Sequence, residues 1–320
     1  MAARPRARTA GGAPPPPRAG RVHGGRGMSQ RAPDPVAILA ALGLPGATEV
    51  VPVLGGQDTA LWRVAYTDAT YALRLFRAGE ERKCQREIAA MRVAAAGGVP
   101  VLEVHAAGRW EGRPALLLSW CDGRTLVDAL TAAPWRVWAL GTMFGRMQAA
   151  IHRTPLPDTL RAIPERWMEW AGPVEPALHE RLLGGAPYPA TLLHLDYHPL
   201  NVMTDGARVT GVLDWPNARV GDPRADLART VVLLRFRPNV SVSPVAAGIV
   251  RLLLHAWWRG YHQSAGPVAD MTLFYAWAGE TTVHDQEAKI ARPGVPRDLA
   301  SYDPLRRWTA HWRRRAGLPA

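Results

Sequence analysis

The stretch LLHLDYHPLNVMTDGARVTGVLDW, from Leu192 to Trp215, sets two histidines, one asparagine and three aspartates among mostly apolar neighbours. Two chemistries compete for it. In an extended strand His194, Asp196 and His198 share one face, because side chains alternate with period two, and imidazoles with a carboxylate suit Zn²⁺ or Fe²⁺. That reading, a metal-dependent hydrolase, needs further ligands or an open position fed by other His or Cys residues. The stretch offers none, and Asn201 and Asp214 are left without a role.

Phosphoryl transfer to a hydroxyl uses more of the residues. It requires an Asp that accepts the substrate proton, an Asn five residues later and a separate Asp, the last two holding Mg²⁺ against nucleotide phosphates. Asp196 and Asn201 have that spacing, and Asp214 is the second acid. Asp205-Gly206 is a hairpin signal, since both residues tolerate positive φ. With these two as the central turn residues, Thr204 faces Ala207, and the extended ladder puts Asp214 opposite Tyr197, next to Asp196. For any one of these polar residues a turn or cap is the simpler role; the set at this spacing points to Mg²⁺ on Asn201 and Asp214.

Upstream, residues 48 to 77 read as an antiparallel meander through EVVPVLGG, ALWRVAYT and YALRLFR. EERKCQREIAAMRVAAAGG then places Cys84, Ile88, Met91 and Ala95 on one helical stripe and stops at Gly97-Gly98. VLEVHAAGRW and PALLLSW, joined through Glu111-Gly112, complete a five-stranded sheet with one helix inserted after the third strand. After Gly123 the helical period takes over: Leu140, Met143, Phe144, Met147 and Ile151 form a stripe that ends at HRTPLP. Downstream, GDPRADLA starts a helix, with Asp222 as cap and Pro223 in the first position. Tryptophan-rich helical segments follow. The expected class is α+β: a small five-stranded antiparallel lobe with one helix over residues 35–120, and a larger mainly helical lobe over 121–320.

Composition bounds the rest. At 320 residues and 48% hydrophobic the chain can bury a sizeable core, and no apolar run reaches the ~18–20 residues of a membrane span. Cys84 and Cys121 have no C-x-x-C spacing, which suits a reducing, cytoplasmic setting. The net charge of +12 falls to +6 without residues 1 to 27, which hold six arginines and no acid. With lysine only at Lys83 and Lys289, the basic balance is compositional arginine, and no nucleic-acid or membrane partner is expected. Residues 1–34, rich in Pro, Gly, Ala and Arg, have the composition of a disordered segment, and Met28 is an alternative start.

HLDYHPLNVM, GVLDW and GDPRADLA together resemble the aminoglycoside phosphotransferase family, with its choline, homoserine and fructosamine kinase relatives, over roughly residues 48 to 260. The resemblance implies a bilobal protein-kinase-like fold and ATP-dependent transfer to a hydroxyl of a small molecule: an aminoglycoside, amino alcohol or sugar. It implies Asp196 as base, Asn201 and Asp214 as Mg²⁺ ligands, His194 and Asp226 as supports of the site, and His198 as structural or substrate-facing. It further implies that Gly55 and Gly56 approach the phosphates and that Ser119, Trp120 and Cys121 form the hinge beside adenine. One departure stands out. Where most of the family has lysine in the third strand this chain has Arg74, expected to pair with Glu87 and to bind phosphate bidentately. A kinase-fold scaffold with impaired catalysis is the corresponding alternative. A polycationic acceptor would require carboxylates, and Asp270, Glu280, Asp285 and Glu287 in DMTLFYAWAGETTVHDQE are the candidates. Oligomeric state is not legible.

Overall fold

A five-stranded antiparallel sheet, ordered β1-β2-β3-β5-β4, begins the fold: β1 Glu49–Pro52, β2 Ala60–Ala65, β3 Thr70–Leu75, β4 Val104–Trp110 and β5 Arg113–Ser119. The structure is a computed structural model that describes residues 33–53, 60–158, 167–185, 188–236, 243–290 and 302–319. By contacts the chain divides into two units, Met1–Asp34 and Pro35–Ala320, and all the described helices and strands lie in the second.

Strand alternation gives the sheet two apolar faces. Leu73, Leu75, Ala115 and Leu117 pack with Ile38 and Leu39 of a short helix, α1 (Pro35–Ala41), which the sequence pattern did not reveal. Ala72, Leu116 and Leu118 face the other way, toward Cys84 and Met91 of α2 (Glu81–Ala96), the helix expected after the third strand. The buried stripe of α2 is Cys84, Glu87, Ala90, Met91 and Ala94, so it is rotated from the expected Cys84, Ile88, Met91 and Ala95. A buried ion-paired Glu87 accounts for the difference: hydrophobic periodicity scores a glutamate as surface. Between β4 and β5, Glu111 and Gly112 both take positive φ, +46° and +73°, as a tight two-residue hairpin requires.

The larger lobe is mainly helical. It contains α3 (Leu126–Ala132), α4 (Val137–His152), α5 (Pro176–Leu183), α6 (Pro223–Arg235), α7 (Pro244–Ala265), α8 (Thr272–Ile290) and α9 (Asp303–Arg315). Two small sheets lie among them: β7 (Thr191–Leu193) with β10 (Arg219–Gly221), and β6 (Arg124–Thr125) with β8 (Val202–Thr204) and β9 (Val209–Val212). Helix α6 starts as read from the sequence, with the Asp222 side chain accepting from Arg224 N and Pro223 in the first turn. Helices α4 and α7 approach to backbone distance at glycines. A Cβ on Gly145 would lie 1.9 Å from Trp257 O, and one on Gly260 would lie 2.1 Å from Thr142 O. No described helix is long and apolar enough to cross a membrane.

The hairpin in the decisive stretch is looser than expected. Thr204 pairs with Val209 rather than Ala207, across a bulge, because Asp205 Oδ1 accepts from both Ala207 N (2.8 Å) and Arg208 N (2.9 Å) and lengthens the turn to four residues. Val202 faces Val212, and Leu213 N donates to Asn201 O at 2.8 Å. Asp214 therefore arrives beside Asn201, not opposite Tyr197.

Candidate active site

Strand β3 turns Leu73 and Leu75 toward α1 and Arg74 toward α2. The guanidinium bridges two carboxylates: Nη1 donates to Glu87 Oε1 at 2.6 Å and Nη2 to Asp214 Oδ1 at 2.7 Å. The Arg74 side chain is 12% exposed and that of Glu87 1%, whereas that of Asp214 is 39% exposed. Burial works against the charge on Arg74, but Glu87 and Asp214 outweigh it and raise its pKa. Burial pushes the Glu87 carboxyl up to about 7 against the pull of Arg74. Asp214 meets the same opposition from burial, and Arg74 still holds it below the usual carboxylate range. The pairing expected between Arg74 and Glu87 is present; the second arm, to Asp214, was not foreseen.

Asp196 follows β7 in a loop fixed at several points. His194 is fully buried; its Nε2 donates to Leu213 O at 2.9 Å and its Nδ1 accepts from Asp196 N at 3.3 Å. It thereby ties the loop to the residue preceding Asp214, and with both ring nitrogens engaged it has no lone pair for a metal. The hydrolase triad of His194, Asp196 and His198 fails on this point. Among the described residues no three His, Cys, Asp or Glu side chains group as a metal centre. His198 Nε2 lies 3.8 Å from Asp196 Oδ1 and 3.3 Å from Asn201 Nδ2.

Asn201 Nδ2 donates to Asp196 O at 3.0 Å, which spends the amide nitrogen inside the loop and leaves Oδ1 as the atom available to a ligand. Asp214 likewise has one oxygen on Arg74 and one beyond it. Leu195 and Asp214 both hold left-handed backbone, with φ of +61° and +66°. Two such residues on neighbouring segments mark a place that the surrounding structure must over-determine.

Asp226 is one of those surroundings. It is fully buried in α6; its Oδ1 accepts from Leu195 N at 2.5 Å, and its Oδ2 from Gln148 Nε2 at 3.0 Å and from His152 Nε2 at 2.9 Å. His152 Nδ1 reaches Tyr261 Oη at 2.8 Å, and Trp257 Nε1 donates to Gln148 Oε1 at 2.8 Å. Burial alone would raise the Asp226 pKa; the hydrogen bond and charge of His152, with other donors, lower it instead. Gln148, His152 and Tyr261 were not among the residues the sequence singled out. The one available signal was a Gln and a His on the otherwise apolar face of α4.

Other expectations fare unevenly. Gly55 and Gly56 lie outside the described residues. In the hinge, Ser119 N donates to Glu103 O (2.8 Å) and Trp120 N to Thr70 O (3.3 Å), so those two donors belong to the sheet and Cys121 supplies the remaining one of the three. The acidic candidates do not converge. Glu280 accepts from Arg313 Nη1 (2.7 Å) and Glu175 N (2.8 Å), Glu287 pairs with Arg306 (2.9 Å), and Asp285 pairs with Lys289 (2.8 Å). Asp270 precedes α8 and borders a 320 Å³ cavity with Arg181, Arg224 and Arg315. It is separated from Asp285 by most of the helix, about 20 Å at 1.5 Å per residue. Asp285 follows one turn after Thr282, whose hydroxyl accepts from Arg229, the residue that donates to Leu195 O in the Asp196 loop.

A five-stranded antiparallel lobe, a mainly helical lobe, and Arg74 bonded to Asp214 beside the loop of Asp196 and Asn201 have the arrangement of a protein-kinase-like fold. A profile of the phosphotransferase enzyme family matches residues 49–267, and the chain belongs to that family. Among solved structures it is similar to a thermostable mutant of aminoglycoside phosphotransferase APH(4)-Ia in ternary complex with ADP and hygromycin B, at 14% identity and a TM-score of 0.62, over 87% of this chain and 97% of that one. Spectinomycin phosphotransferase APH(9)-Ia with ADP and spectinomycin (12% identity, TM-score 0.53, 88% and 93% covered) shares the fold. So does the apoenzyme of macrolide 2'-phosphotransferase MphH from Brachybacterium faecium (16% identity, TM-score 0.51, 86% and 97%). No curated protein matches significantly.

Proposed function

We propose that the protein transfers the γ-phosphoryl group of ATP to a hydroxyl of a small molecule in the cytoplasm, the acceptor being an aminoglycoside, amino alcohol or sugar-like compound. One observation carries this: Arg74 ties Glu87 to Asp214, and Asp214 stands beside the loop that bears both Asp196 and Asn201. The ligands named for the similar structures, ADP with hygromycin B or spectinomycin, support a nucleotide and a polar hydroxylated acceptor.

In this reading Asp196 orients the acceptor hydroxyl and takes its proton as the new P–O bond forms and the bond from the γ-phosphorus to the β,γ-bridging oxygen breaks, leaving ADP. The free oxygen of Asn201 and the second oxygen of Asp214 fit a hard cation that takes oxygen ligands, and these two would hold Mg²⁺. When bound, Mg²⁺ supplies neutralisation of the charge that develops on the transferring group. Arg74 presents a permanent cation to the phosphates, and Glu87 keeps it extended toward the cleft. Cys121, with the backbone carbonyls around it, borders adenine, and phosphate binding is the role assigned to Gly55 and Gly56. His194 and Asp226 hold the loop, His198 stands beside the acceptor hydroxyl, and Asp285 is the acid nearest an acceptor amine. Residues 35–120 then serve as the nucleotide lobe and 121–320 as the acceptor lobe.

The test is ATP turnover against a panel of aminoglycosides, amino alcohols and sugars, with and without Mg²⁺. Asp196→Ala should lower turnover by about 10²- to 10⁴-fold with nucleotide binding intact. Unchanged turnover in that variant would remove Asp196 from the chemistry.

A further inference from the structure

Arg229 lies on α6, one turn beyond Asp226, and is 2% exposed. A buried guanidinium is ordinarily matched to a carboxylate at contact distance. Here the hydrogen bonds go to neutral oxygens. Nε donates to Leu195 O at 3.2 Å, Nη1 donates to Thr282 Oγ1 in α8, and the guanidinium lies 4.5 Å over the Trp170 ring. Asp196, Asp285 and Asp226 are close enough to favour its charge, although burial prevails and lowers its pKa.

The peptide units that Arg229 and Asp226 hold belong to one residue. Leu195 N donates to Asp226 and Leu195 O accepts from Arg229, so this left-handed leucine is gripped at both its donor and its acceptor. A leucine at positive φ is uncommon and persists only under such restraint. The next residue is Asp196, whose direction follows from the plane of the Leu195–Asp196 peptide. The Asp226 half fixes the preceding peptide; the Leu195–Asp196 plane itself is held at its two ends, by the longer bond from Asp196 N to His194 Nδ1 at 3.3 Å and by Arg229 on Leu195 O. Thr282 in turn donates to Ala278 O at 2.5 Å, which fixes its hydroxyl oxygen to receive Nη1, and Asp285 follows one turn along the same helix.

We infer that Arg229 is a positioning residue for the phosphoryl transfer: it clamps the Leu195 carbonyl to aim Asp196 and ties that loop through Thr282 to α8, the helix that bears Asp285. The inference rests on Asp196 being the base. Two readouts keep the two claims apart: hydrogen exchange of the backbone across Leu193–Tyr197, which needs no turnover, and kcat measured alongside nucleotide affinity. Thr282→Val removes the acceptor for Nη1 at constant shape, and Thr282→Ser restores it. Thr282→Val should speed exchange at the Leu195–Asp196 peptide and lower kcat about tenfold, within the 10²-fold that a misplaced reacting group can cost. Nucleotide affinity should stay within about twofold, and Thr282→Ser should behave as the wild type. Arg229→Met should do the same more strongly, with Arg229→Lys between. Equal effects of Thr282→Val and Thr282→Ser, or wild-type exchange and kcat in Thr282→Val, overturn the clamp, whether or not Arg229→Met folds. Absence of turnover in the wild type with every acceptor, together with faster exchange in Thr282→Val, overturns the proposed reaction and leaves the clamp supported.

Discussion

Arg74 is where a single side chain decides most. Lysine at this place would offer one compact ammonium; arginine offers a fork whose two arms satisfy Glu87 and Asp214 at once. Arg74→Met strands the Glu87 carboxylate in the core and should destabilise the fold by roughly 3–5 kcal/mol, read by urea denaturation. Adding Glu87→Gln should recover part of that loss, because the stranded charge goes with it. Arg74→Lys should fold well yet bind nucleotide more weakly, since a single ammonium cannot hold Glu87 and phosphate in the same geometry. Asp226 gives a pH signature. Its folded pKa is lowered, so the stability it contributes is present above the ordinary carboxylate range and disappears as pH falls through that range and below. Asp226→Asn should therefore be less stable than the wild type by about 1.5–3 kcal/mol at neutral pH, and the gap should close on acidification.

At the level of elements, the crossing of α4 with α7 is the sternest constraint, because backbone meets backbone there. Gly145→Ala has no room against Trp257 O and should lose about 1–3 kcal/mol or more by overpacking. Gly248→Ala, on α7 with nothing within 4 Å of its Cβ, should be neutral or gain up to about 1 kcal/mol in thermal unfolding. The periodicity that located the helices could not have shown this seam. Hydrophobic pattern reports which residues avoid water, not how closely two axes come, and the same limit misplaced the α2 stripe by ignoring Glu87. Local structure was readable: the Asp222-Pro223 helix start and the Glu111-Gly112 hairpin each involve residues within a few positions of one another, and the five-residue step from Asp196 to Asn201 closes on itself through the Asn201 amide on Asp196 O. The Asp205 turn was only half readable, because one carboxylate capping two amides stretched it and moved Asp214 next to Asn201.

Across the whole molecule, the site draws on residues remote in sequence, from Arg74 to Tyr261, and that is why its brace was invisible before folding. Binding at the cleft should stabilise the entire chain: at about 100 times its Kd, Mg·ATP adds about 2.7 kcal/mol, and the accompanying rise in Tm should vanish in Asp214→Ala. A fixed Tm in the wild type would argue against nucleotide binding altogether. The polar chain from Asp226 through Gln148 and His152 to Trp257 and Tyr261 runs along the very contact where the glycines bring α4 and α7 together. Trp257 and Tyr261 each meet their α4 partners across 109 residues of chain. Such distant pairings close late, after local structure has formed. Competence should then arrive last: on refolding, helical signal should return first and any phosphotransfer only once α7 has docked, because a half-assembled chain leaves the Asp196 loop without its brace.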